Sequence, residues 1–141
     1  MKAWITLGDY AQVHAGKLYV VGGGVSITGT PAQLGVAIEI VLPWELRSRR
    51  QTFRIDLIDA DQRPVTVPAP IAGVEPPPFQ ASGQFEGIPA PGLPPGSDLS
   101  FMLAFNVVGL PLQLASTYTL RLFIADEDKP SATKTFATHP Q

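Results

Sequence analysis

The chain has no cysteine. That excludes disulfides, cysteine nucleophiles and every thiolate-bound metal centre, and it fits a reducing cytosol. Charge is scarce too. Asp, Glu, Lys and Arg make up 16% of the 141 residues, against roughly a quarter in an average soluble domain. The net charge is −2, so nucleic acid and anionic membrane are not expected partners. Long apolar runs are missing. The opening Lys2-Ala3-Trp4-Ile5-Thr6-Leu7 stops at Gly8-Asp9, too short for the apolar stretch of a signal peptide. Nothing approaches the ~20 apolar residues of a membrane helix. A soluble, cytoplasmic protein is expected. Also absent is any long segment with the 3.6-residue period of a core helix.

Period-2 alternation takes its place. In Gln51–Val67, Phe53, Ile55 and Leu57 alternate with Thr52, Arg54 and Asp56, the pattern of a strand with one buried and one wet face. An Asp-rich turn, Asp59 to Pro64, leads to a second β-branched run, Val65–Val67. The same alternation marks Ala3–Asp9, Gln33–Leu42, Leu99–Val108 and Thr117–Ala125. Lys17–Val21 and Ser131–Thr138 are also strands, and Gln80–Ile88 is a weak one. The 13 glycines and 15 prolines cluster between these runs, as turn punctuation does. Pro43–Arg50 reads as one helical turn with Pro43 at its start. Pro68–Pro78 reads as an extended connection, because proline supplies no ladder N–H.

With 45% hydrophobic residues and one domain's length, residues 1–141 are expected to form a single domain with a real core. About eight or nine strands at regular spacing predict an all-β fold, a two-sheet antiparallel β-sandwich of immunoglobulin-like type. Tyr118 opens a strand just after a tight turn. In many such sandwiches a tyrosine there bonds back to the preceding connection.

Three short motifs carry a resemblance. Asp9-Tyr10-Ala11, Gly16-Lys17-Leu18 and Gly22-Gly23-Gly24, together with Leu42-Pro43-Trp44 and the Phe53–Val65 stretch, resemble a family of small bacterial β-sandwich proteins to which no activity is assigned. The resemblance spans most of the chain. It implies the fold and no site residue.

Catalytic motifs do not assemble. Gly16-Lys17 lacks the upstream glycine and the following Ser or Thr of a phosphate loop, and Gly22–Gly24 precedes no helix. His14 falls in a turn and His139 near the terminus; Ser82-Gly83 has Gln80 where a nucleophile elbow needs glycine, and two separated histidines with no cysteine do not make a zinc site. A non-enzymatic chain is expected.

Two binding chemistries are worth placing. Asp59 and Asp61 follow one strong strand, and Asp126 and Asp128 follow another. If strands alternate direction strictly, both pairs fall at one pole. Converging carboxylates there would suit Ca²⁺, a hard cation wanting about six to eight oxygens. The alternative is ordinary turn chemistry, in which Asp caps nearby N–H groups. Trp4, Trp44, Arg47, Arg49 and Arg50 form the candidate interaction surface, since aromatics and arginine anchor interfaces. With no catalytic constellation and apolar content to spare, the leading expectation is a protein-interaction or structural module, binding a protein partner or itself. The second is a small-ligand or Ca²⁺-binding sandwich.

Overall fold

A computed structural model describes residues 1–69 and 71–141. Among them are ten strands: β1 (Lys2–Gly8), β2 (Tyr10–His14), β3 (Lys17–Val21), β4 (Ile27–Thr28), β5 (Ala32–Leu42), β6 (Arg50–Asp59), β7 (Gln80–Glu86), β8 (Leu99–Leu110), β9 (Thr117–Ile124) and β10 (Ala132–Thr138). They form a three-stranded sheet, β1-β5-β8, a five-stranded sheet, β4-β10-β9-β6-β7, and the β2-β3 hairpin. All neighbours are antiparallel except β4 and β10.

The count of ten differs from the expected eight or nine in three places. Tyr10–His14 and Ile27–Thr28 are strands. Val65–Val67 is not: only isolated bridges, Ile58 to Pro64 and Thr66 to Pro78, tie this stretch to its neighbours. The prolines explain that, since each bridge has a proline on one side and proline cannot continue a ladder. The expected helical turn is a 3-10 turn at Trp44–Leu46, with the Leu46 N–H donating to the Pro43 carbonyl at 3.0 Å. The connection over 68–78 carries no strand at its described residues, and Pro70 lies outside them.

Alternation decides which face is buried. Leu34, Val36, Ile38, Ile40 and Leu42 of β5 are at most 2% exposed. They meet Ile55 and Leu57 of β6 and Leu120, Leu122 and Ile124 of β9 in one core between the two larger sheets. Each such side chain contributes about 1.5–3 kcal/mol of burial. Tyr118 lies at the edge of this core, 5% exposed, and its hydroxyl accepts the Gln113 N–H at 2.9 Å. That is the back-bond expected of a corner tyrosine.

The outer face of the three-stranded sheet is partly covered as well. The β2-β3 hairpin folds over it, which is why Ala37 and Ala11 are 1% exposed although both point away from the main core. A Cβ at Gly35 would sit 2.6 Å from the Ala11 nitrogen, so only glycine lets the strands approach this closely. The Asn106 amide fastens the hairpin. Its oxygen accepts the Ala11 N–H at 3.0 Å and its nitrogen donates to the Ala11 carbonyl at 2.9 Å.

Candidate functional site

The four aspartates do not converge. β6 and β9 are antiparallel neighbours, with Asp59 opposite Tyr118 and Phe53 opposite Ile124. Asp59 and Asp61 therefore lie at the end where β9 begins, and Asp126 and Asp128 lie past the end where it finishes. Six strand residues separate the two places, about 20 Å at the strand rise. The strict alternation that would have joined them fails at the proline connection: Val65–Val67 and β7 both run against β6, so no reversal occurs between them. Among the described residues no group of three or more His, Asp or Glu side chains could hold a metal ion. On this register the two aspartate loops stand at opposite ends of β9 and do not share one site.

Each loop does something local instead. Asp59 Oδ1 accepts the Asp61 N–H at 2.9 Å and the Arg63 N–H at 3.0 Å, the hydrogen bonding by which aspartate makes a turn. At the other end Ala125 turns the chain with φ 58°, and Asp126 and Asp128 rim a shallow groove that also touches Arg54 and Ser82.

The expected interaction residues lie on β1 and on the segment that runs from the 3-10 turn into β6. Trp4 is 51% exposed on the outer face of β1. Trp44 packs against the core from the 3-10 turn, capped by the Arg47 guanidinium 4.8 Å above its ring. Arg50 stands 4.0 Å from Glu86, both exposed, and Arg49 is exposed.

A charged cluster that sequence reasoning overlooked occupies the outer face of the five-stranded sheet. Arg121 binds Asp56 through both carboxylate oxygens, at 2.8 and 2.6 Å, and Arg54 approaches the same carboxylate at 3.5 Å. Both guanidiniums stack over Phe123, which is 3% exposed. The bond to Asp56 raises the Arg121 pKa above its ordinary value despite the opposing effect of burial. The cluster, two guanidiniums on one carboxylate, keeps one net positive charge and covers an outward-facing aromatic.

The unusual feature is an edge. β8 pairs with β5 alone, over Leu99 to Leu110, and its other side has no strand. Among the described residues, no hydrogen bond from outside its own sheet reaches a β8 backbone group. Free edges are normally blunted by charge, proline or covering segments. β8, Leu-Ser-Phe-Met-Leu-Ala-Phe-Asn-Val-Val-Gly-Leu, has neither a charge nor a proline in twelve residues. The other open edge of the same sheet, β1, carries Lys2, and its Leu7 carbonyl accepts from Gly24 and Val25. Along β8 the inward residues Phe101, Leu103 and Phe105 are only partly buried, whereas Val36, Ile38 and Ile40 beside them on β5 are fully so. Val108 is 74% exposed. A groove of about 330 Å³ runs beside the edge between Val67, Pro68 and Phe79 on one side and Phe105–Leu110 on the other, with no charged residue in its lining.

This fold coincides with a family match over almost the whole chain, residues 3–134. The chain belongs to DUF6941, a family of unknown function. No curated protein and no solved structure matches it. Membership in DUF6941 thus agrees with the expected kind of family and assigns no activity. No helix among its described residues is long and apolar enough to cross a membrane.

Proposed function

We propose that this DUF6941 chain is a non-enzymatic protein-interaction module: a cytoplasmic, immunoglobulin-like β-sandwich that binds protein along the open edge of β8. The immunoglobulin-like reading is supported by the Tyr118 back-bond and by a chain that crosses repeatedly between two sheets sharing one core. The observation that carries the function is β8 itself: twelve residues of strand with free backbone groups, no charge and no proline, beside an uncharged groove. An edge of that kind recognises an extended partner by adding it as a further strand. Main-chain hydrogen bonds supply affinity, and pockets for alternate side chains supply selectivity.

A photoreactive amino acid at Val108 tests this in the cells that make the protein. The same group at Thr133, exposed on β10 in the five-stranded sheet, is the control. Adducts heavier than the chain are expected from position 108 and not from 133. No adduct at 108, or equal adducts at both, overturns the reading.

A further inference from the structure

We infer that the strand added to β8 is β8 of a second copy, paired antiparallel about a two-fold axis near Leu103. This rests on the interaction reading above and names its partner.

The sequence of the strand supports self-pairing. An isologous antiparallel pair sets each residue opposite one equally far beyond the axis. About Leu103, β8 is close to its own mirror image. Phe101 falls opposite Phe105 of the second copy, Leu99 opposite its Val107, Met102 opposite its Ala104 and Ser100 opposite its Asn106. Apolar inward residues meet apolar inward residues; outward, apolar Met102 meets apolar Ala104 and polar Ser100 meets polar Asn106. A charge set opposite one of its own sign would weaken such a pair. β8 has no charge to oppose.

The flank is also large enough. Phe85 of β7 stacks on Phe101 with ring centroids 4.8 Å apart, so the edges of both sheets lie on this side of the molecule. β7 is likewise the last strand of its sheet. β8, β7 and the stretch Val65–Pro68 together present roughly the 20–30 residues that a standard interface takes from each partner. Pairing would extend the three-stranded sheet across the axis and add to the burial of Phe101, Leu103 and Phe105.

The cysteine-free chain makes the test direct, because any engineered disulfide must form between engineered positions. Light scattering of the full chain at 100 µM is expected to give twice its 15.1 kDa mass. An oxidised mixture of Met102→Cys and Ala104→Cys chains is expected to form the mixed disulfide. A mixture in which Thr133→Cys replaces Ala104→Cys is expected not to. Ala104→Lys, which sets lysines close together across the axis, is expected to weaken dimerisation at least tenfold while leaving far-UV circular dichroism unchanged. A monomer at 100 µM overturns the inference, and so does a dimer that shows no disulfide between positions 102 and 104. The interaction reading fails separately. Adducts at Val108 to a different protein, with a monomer in solution, sink self-pairing and keep the module; no adducts at all sink both.

Discussion

Tyr118 shows how much a single hydroxyl decides. Its ring belongs to the core, stacked with Phe136 at 5.9 Å, and its oxygen satisfies the Gln113 N–H in the turn before β9. Tyr118→Phe keeps the ring and strands the donor, so a loss of about 1–3 kcal/mol is expected. The urea midpoint should fall with an unchanged slope. Asp59 gives the complementary case. Its carboxylate accepts two turn N–H groups on the surface, so Asp59→Asn, whose amide oxygen accepts both, should be near neutral. Asp59→Ala should cost about 1 kcal/mol, the typical net value of a lost hydrogen bond. Thermal melts of both variants in millimolar CaCl₂ and in chelator should superimpose, since Asp126 and Asp128 are too far away to share an ion. At this scale the sequence was half legible. A tyrosine after a turn and aspartates in a turn carry local chemistry that spacing reveals. Whether two turns meet is a question of strand order, which no local pattern holds.

At the scale of elements, the β2-β3 hairpin depends on two residues of other strands. Gly35 admits it and Asn106 holds it by both sides of one peptide unit. Gly35→Ala is expected to lift the hairpin, costing about 1–3 kcal/mol as overpacking does. Hydrogen exchange should accelerate at Ala11 and along Tyr10–His14, with little change in β5. Asn106→Leu should loosen the same amides, and the buried Ala11 N–H would be left without its acceptor. Uniform acceleration across all strands would instead place the hairpin inside the main cooperative unit. Tyr10–His14 escaped the sequence reading because its one buried residue, Ala11, is small and its neighbours are exposed on both faces. Such a strand exists because of what lies beneath it. The strongly alternating β5, β6, β8 and β9 were legible because each has its own apolar row. Val65–Val67 was over-read: three β-branched residues resemble a strand, but flanking prolines withhold the ladder.

At the scale of the molecule, composition and topology bear on each other. A chain with little charge has few residues with which to guard its edges, and strand order decides which edge goes unguarded. The absence of charge in Leu99–Leu110 is visible in the sequence; its position as an outermost strand is not, because β5 and β8 are paired across more than fifty intervening residues. The consequence is a stability that depends on concentration. If native chains pair through β8 and unfolded chains do not, raising the concentration favours the folded dimer by mass action, by about 2.7 kcal/mol for a hundredfold excess over the dissociation constant. The melting temperature of the chain should therefore climb by several degrees between 1 and 100 µM. Ala104→Lys, with the pairing weakened, should melt at nearly one temperature across that range, close to the value of the intact chain at its lowest concentration. A concentration-independent transition in both proteins would mean that β8 stays open in solution, and its exposed, uncharged edge would then have to be covered by a different chain.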